Sequence, residues 1–141
     1  MTEIDAVLQQ LLDETRASRV TLREDVPGDY AFPVTREALA PGVSSLRGER
    51  TVDLRTQPVV LELQRSAQVV QDDSASAYDD PSYQRMLETY GGLAAQIVTR
   101  VVADGRLAGI VSLHQLGSAR RWTESEIAAC RRAAARLGEL L

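Results

Sequence analysis

Two apolar, β-branched runs, residues 95–103 and 107–116, flank the dipeptide Asp104-Gly105. Nothing else in the chain constrains its fold as strongly. A two-residue hairpin turn needs positive φ at both central positions, and Asp-Gly tolerates that geometry better than most pairs. The spacing predicts a long β-hairpin.

Amphipathic helices bracket this unit. Ile4, Val7, Leu8, Leu11 and Leu12 fall at helical spacing, so residues 2–16 carry one apolar stripe, with Thr2 as N-cap and Asp5 three positions on. At the other end Thr123-Glu124-Ser125-Glu126 is a capping box, and Ile127, Cys130, Ala134, Leu137 and Leu141 stripe the helix that follows. Residues 18–24 alternate strictly and read as a half-buried strand, Val20 and Leu22 to one side, Arg19, Thr21 and Arg23 to the other.

The stretch 25–56 is less regular. Pro27-Gly28-Asp29 marks a turn, residues 30–34 are predicted as a strand, 35–40 as a short helix before Pro41-Gly42, and 51–54 as another strand. Pro58 opens a helix continued by residues 59–66. Residues 68–71 form a short buried strand, 72–81 a polar loop, and 82–90 a helix stopped by Gly91-Gly92. The expected fold is α+β: one domain over residues 1–141, with a central antiparallel sheet, the N- and C-terminal helices on one face, and loops and short helices on the other. A groove between sheet and loops is the natural ligand site.

Composition removes several functions. The chain has 141 residues, 44% apolar and 26% charged, an ordinary balance for one domain. All 16 basic residues are Arg, so Schiff-base chemistry, a P-loop lysine and Ser-Lys catalysis are impossible. Cys130 is alone, which rules out an internal disulfide and a multi-cysteine metal site. With a net charge of −4 and no basic, aromatic-rich stripe, nucleic acid is a poor partner. No apolar run is long enough to span a bilayer, and the first residues are acidic where a secretory signal is basic. A cytoplasmic location is expected.

The C-terminal half resembles the GAF family. The carrying residues are Val70-Gln71-Asp72, then the run from Gly105 through Gly109 to His114, then Arg121-Trp122-Thr123-Glu124-Ser125-Glu126-Ile127. In that family a G-x-x-x-G-x-x-x-x-H hairpin leads to an Arg-Trp/Phe-Thr/Ser cap and a last helix. The likeness is specific over residues 66–141; across 1–65 it rests on element order. It implies a central antiparallel sheet backed by terminal helices, and either small-molecule or chromophore binding or a relaying and dimerising role. His114 matches a family histidine that lies near the bilin in phytochrome-type members, but those attach it through a cysteine commonly just before a histidine, and residues 82–90 have none. The cyclic-nucleotide motif needs Asn, Lys and Phe, of which only Phe32 is present. The free methionine-sulfoxide reductase type needs paired cysteines.

Period-2 geometry places Ile110, Ser112 and His114 on one face of their strand and Val111 and Leu113 on the other. The more apolar face should meet the terminal helices, which aims Ser112 and His114 at the groove together with Arg19, Thr21 and Arg23. Arg100 shares a face with Gln96 and Val98, and Tyr78, Tyr83 and Tyr90 come from the loop and helix that roof the groove. The candidate ligand-binding residues are Arg23, Thr21, Tyr78, Tyr83, Arg100, Ser112 and His114, suited to a small anionic or aromatic ligand: an Arg fork matches a carboxylate and Tyr offers an apolar body with a polar tip. The competing reading makes His114 structural and the arginines a solvated strand face. Asp72, Asp73, Asp79 and Asp80 lack the spacing of a Ca²⁺ or Mg²⁺ cage and read as a solvated loop. Trp122 reads as packing and Cys130 as unreactive core.

No catalytic constellation, metal site or cofactor is indicated. The expected function is a small-molecule-binding sensory module without its own output domain, acting on a separate regulator or kinase. The alternative is a structural or dimerisation module that forms a homodimer through its terminal helices, where Ala133-Ala134 permits close approach.

Overall fold

The computed structural model describes residues 2–141. Helix α1, Glu3–Thr15, starts at a complete capping box: Thr2 Oγ1 accepts from the Asp5 N–H at 3.1 Å, and Asp5 Oδ2 accepts from the Thr2 N–H at 3.2 Å. It ends where Arg16 turns left-handed, φ 54°. Strand β1, Arg19–Glu24, follows, then β2, Val34–Leu39. A 3-10 turn at Leu54–Thr56 leads into α2, Pro58–Glu62. Strand β3, Gln68–Gln71, precedes a second 3-10 turn, Ser74–Ser76, and helix α3, Pro81–Thr89, whose first turn is capped by Asp80. The long hairpin is β4, Leu93–Ala103, and β5, Arg106–Leu116. Its turn has φ 52° at Asp104 and 74° at Gly105, the geometry the dipeptide demanded. Helix α4, Glu124–Leu140, closes the fold, with Thr123 and Glu126 forming the expected capping box.

The five strands form one sheet in the order β2-β1-β5-β4-β3, every pair antiparallel. Helices α1 and α4 lie on one face. Leu8, Leu12, Cys130 and Leu137 form a single cluster there with Val20, Leu22, Ile97, Val111 and Leu113 of the strands. Gly138 lets α4 come against β4, since a Cβ there would collide with the Val102 carbonyl oxygen. Trp122 fastens the approach to α4, its indole N–H donating to the Gln71 carbonyl at 3.0 Å.

The structure corrects the stretch 25–56. Residues 35–40 are not a helix; residues 35–39 lie in β2, which pairs with β1 from Arg19↔Leu39 to Arg23↔Val34, and Ala40 follows it. A helix this short is marginal alone, whereas pairing satisfies the free edge of β1 and buries Val34 and Ala38. Residues 30–33 are turn and coil rather than strand, held by the Ala31 N–H donating to Asp29 Oδ1 at 2.9 Å. Residues 51–54 bend into the 3-10 turn and bury Val52 and Leu54 without sheet pairing. Helix α2 stops at Glu62, short of the expected residue 66.

The second face of the sheet is covered by the irregular segments and by α2 and α3, which form their own core around Phe32, Leu54, Leu63, Tyr83, Met86 and Tyr90. The expected groove is therefore largely filled.

Candidate functional site

The strand register builds one wall of the site. Arg19 lies opposite His114, Thr21 opposite Ser112 and Arg23 opposite Ile110 on β1 and β5. On β4, Gln96 lies opposite His114 and Val98 opposite Ser112. Directly opposed residues share a face, so these side chains all point away from α1 and α4 into the loop-covered core. Gln57, Met86 and Tyr90 supply the roof. Between wall and roof lies a cavity of about 30 Å³, reached by Arg23, Gln96, Ser112 and His114.

Its charges are unusual. Arg19 is completely buried and Arg23 nearly so. Arg19 donates from Nε to His114 Nδ1 at 3.1 Å, from Nη1 to the Ser44 carbonyl at 3.0 Å, and from Nη2 to the Tyr90 carbonyl at 2.7 Å. Arg23 donates from Nη1 to the Phe32 carbonyl and from Nη2 to the Tyr90 hydroxyl, both at 2.8 Å. Among the described residues, no carboxylate forms an ion pair with either guanidinium. Glu37 acts on Arg19 only through space and accepts instead from the Ser45 hydroxyl and the Leu46 N–H.

These surroundings set the protonation states. Burial brings the Arg19 guanidinium down to about 10, with Glu37 opposing the shift, so it stays charged at neutral pH. Burial, then the charges of Arg19 and Arg23, hold His114 well below the usual imidazole value. His114 is neutral, and the Arg19 bond to Nδ1 assigns its proton to Nε2. Burial raises Tyr90, which remains a neutral phenol.

Of the sequence candidates, Arg23, Ser112 and His114 meet at the cavity. Thr21 lies on the same face, fully buried, with Oγ1 lacking a partner. Tyr83 stands apart: its hydroxyl is 2.8 Å from the Ser74 carbonyl and 3.0 Å from Gln71 Oε1. Tyr78 packs edge-on against Tyr83 with ring centroids 5.0 Å apart. Arg100 is half-buried near the Leu63 carbonyl, 3.4 Å away, and off the cavity. The candidate set omits Arg19, Gln57, Tyr90 and Gln96. Period-2 alternation pointed at Arg19 and Gln96, and Tyr90 belonged to the expected roof. Gln57, just ahead of Pro58, carried no signal.

The acidic loop is used structurally. Asp72 accepts from the Trp122 N–H at 3.2 Å, Asp73 from the Ser76 hydroxyl at 2.7 Å, and Asp80 from two N–H groups of α3. Among the described residues, no three His, Cys, Asp or Glu side chains gather in a way that holds a metal, and no helix is long and apolar enough to cross a membrane. Cys130 packs beneath the helices, across the sheet from His114.

Sheet order, terminal helices on one flank and a roofed polar cluster on the other define the class: an α+β domain built around a buried site on its sheet. The family follows from the sequence. The family model for the GAF domain matches residues 2–141, and the chain belongs to the GAF domain family. No curated protein matches it. Solved structures with the same fold include the GAF domain of the cyanobacteriochrome TePixJ, at TM-score 0.80 and 21% identity, covering 97% of this chain and 84% of that one. The phycoerythrobilin-bound GAF domain of a cyanobacterial phytochrome aligns at TM-score 0.80 and 19% identity, covering 96% of this chain and 81% of that one. The chromophore-binding domain of Stigmatella aurantiaca phytochrome P1 aligns at TM-score 0.79 and 16% identity, covering 98% of this chain and 52% of that one. At such identities the likeness establishes the fold.

Proposed function

We propose that this chain is a non-catalytic sensory GAF module that binds a small molecule through an anionic group, at the cavity between Arg23 and His114, and passes its state to a separate regulator or kinase. The observation that carries the reading is the pair of buried guanidiniums, Arg19 and Arg23, with no carboxylate on either. A buried charge held only by neutral groups is costly, and an anion beside it restores the missing partner. Ser112 and Gln96 add polar groups around the same space. A volume of 30 Å³ suits a water molecule rather than a ligand. Binding therefore selects a state in which the roof of α2 and α3 has drawn back.

The chromophores named for the structural neighbours do not fit this chain as it stands. Its one cysteine is across the sheet in the helix-side core, and the cavity is far below the roughly 300 Å³ at which ligand pockets begin. A covalently attached bilin is not part of the proposal.

The test is native mass spectrometry of the purified protein, followed by thermal-shift titration with acetate, benzoate, succinate and inorganic phosphate. Stabilisation by at least one anion, lost in both Arg23→Ala and His114→Ala, supports the site. Anion stabilisation unchanged in both variants refutes the assignment.

A second reading has its own observation. A groove of about 140 Å³ runs between α1 and α4, lined by Val7, Leu11, Ala129 and Ala133 with Glu14 and Arg132 at its rim. It suits homodimerisation through the terminal helices. Sedimentation equilibrium separates the readings: a concentration-independent monomer removes this one and leaves the ligand site untouched.

A further inference from the structure

Tyr90 sits in the site as a ligand would. Its ring lies 21° from parallel to the His114 imidazole, with centroids 6.1 Å apart, and the Arg23 guanidinium carbon is 5.6 Å from the ring centroid. Its hydroxyl accepts the Arg23 bond at 2.8 Å. An aromatic plane stacked on an imidazole, with its oxygen on an arginine, is the contact set of an aromatic acid. The phenol meets that set incompletely. Arg23 needs only an acceptor, and among the described residues no group accepts the phenol's own proton. A carboxylate in the same place would supply the acceptor and carry the charge that both guanidiniums lack.

The Tyr90 carbonyl is held by Arg19 Nη2 at 2.7 Å, and latitude for its ring comes from the turn that follows. Tyr90 ends α3, its N–H donating to the Met86 carbonyl at 2.9 Å. Gly91 and Gly92 follow, both at positive φ, 85° and 81°. Two consecutive left-handed glycines allow the chain to reset at small conformational cost where side-chain-bearing residues would resist. The turn itself is loosely packed: a Cβ at Gly92 would meet nothing within 4 Å, and one at Gly91 only a Leu116 methyl at 3.6 Å. The neighbour on the roof is Met86, an unbranched, adaptable side chain. Withdrawing the Tyr90 ring joins the volume of a phenol to the existing cavity.

We infer that Tyr90 is a built-in occupant of an aromatic-acid subsite, and that the ligand of this chain is a planar ring bearing a carboxylate, which displaces the Tyr90 ring from between Arg23 and His114. This rests on the anion-site reading above and narrows it to one ligand class with one gate. The binding-competent state is the one with Tyr90 withdrawn, so affinity is reduced by the fraction of time the plug is seated.

The experiment is isothermal titration of benzoate, cyclohexanecarboxylate and p-cresol into the wild type, Tyr90→Phe and Tyr90→Ala. Circular dichroism checks that each variant is folded. Tyr90→Phe keeps the ring but removes the bond to Arg23. It should tighten benzoate about ten-fold, the worth of a single hydrogen bond to a charged group. Benzoate should bind every folded variant at least about ten-fold tighter than the non-planar acid or the uncharged phenol. In the wild type, the Tyr90 ring resonances should shift on benzoate addition as the His114 ring current is lost.

Benzoate binding with equal affinity to wild type and Tyr90→Phe, or no tighter than cyclohexanecarboxylate, overturns the plug and the aromatic class while the anion site stands. If neither acid binds any of the three proteins, the aromatic-acid inference falls, and the anion site falls with it only if acetate, succinate and phosphate also fail to stabilise the protein. Because Tyr90→Phe is nearly isosteric, the inference remains testable even if Tyr90→Ala fails to fold.

Discussion

His114 makes the stability of this protein depend on pH in a window where little else titrates. It is the sole histidine, it is 3% exposed, and its Nδ1 is taken up by the Arg19 guanidinium. A second proton would have to enter a buried site beside two positive charges, which is why its folded pKa lies well below the unfolded value of 6.5. The sign follows directly. Above pH 6.5 the imidazole is neutral in both states and imposes no penalty. Below it the unfolded chain binds a proton that the native protein refuses, so stability falls with pH until the folded pKa is reached. The slope approaches about 1.4 kcal/mol per pH unit, and integration gives a loss of at most about 1.4 kcal/mol at pH 5.5 and at most about 2.1 kcal/mol at pH 5.0, relative to pH 8. Asp5 and Asp29, both lowered from 3.8 by hydrogen bonds, contribute at more acid pH than this. Urea unfolding between pH 5.5 and 8, on wild type and His114→Gln, measures the effect. A wild-type free energy flat across the window, or an equal slope in His114→Gln, would show that His114 is not held neutral by its surroundings.

Arg19→Met orphans the Ser44 and Tyr90 carbonyls and His114 Nδ1, and should lower stability by about 3 kcal/mol and the melting temperature by roughly 10 °C; a change under about 1 kcal/mol would mean these bonds contribute little. Gly138→Ala should destabilise by about 1–3 kcal/mol in urea titrations because of the Val102 carbonyl, although helix propensity alone favours alanine by about 1 kcal/mol. A net gain would disprove the close approach of α4 to β4. The Cys130 thiol, 1% exposed and pushed up to about 12 by burial and then by Glu126 and Glu14, should react with a thiol reagent at pH 8 only as fast as the chain unfolds; faster labelling would reveal a local opening under α4. Hydrogen exchange should be faster in α2 and α3 than in β4, β5 and α4, and equal protection would argue against a roof that yields on its own.

What the sequence made legible was local. The hairpin follows from a dipeptide and its flanks, the terminal helices from their capping boxes and stripes, and one wall of the site from alternation along β1 and β5. Residues 35–40 were misleading because Arg36-Glu37-Ala38-Leu39 has helical propensity, while the open edge of β1 decides the outcome. The roof was harder for a different reason. Tyr83 and Tyr90 are seven residues apart, nearly two helical turns, so they leave α3 on the same side but about 10 Å apart along the axis. That distance sends Tyr83 to Gln71 on β3 and Tyr90 to Arg23 and His114 in mid-sheet. Helical periodicity gives both tyrosines the same weight; only the docking of α3 distinguishes them. Gln57 depends on tertiary placement even more, since its one side-chain hydrogen bond among the described residues, from Nε2 to Ser82 Oγ at 2.9 Å, joins segments with no shared local pattern.

The two sides of the sheet answer to different demands. Under α1 and α4 the strands contribute chiefly aliphatic side chains, and burial is repaid by the hydrophobic effect. The loop side carries the buried charged and amide groups, and among the described residues it also holds the buried polar side-chain atoms left without partners: Thr21 Oγ1, Gln57 Oε1, Gln71 Nε2 and Ser74 Oγ. Each such atom costs about 1–3 kcal/mol, and the uncompensated guanidiniums add to that. Substituting apolar residues would relieve these costs without altering the strand order, so the fold alone does not call for them. The proposed release of Tyr90 on ligand arrival requires a site less stable empty than the half of the domain that holds its shape, and the loop side has the composition for it.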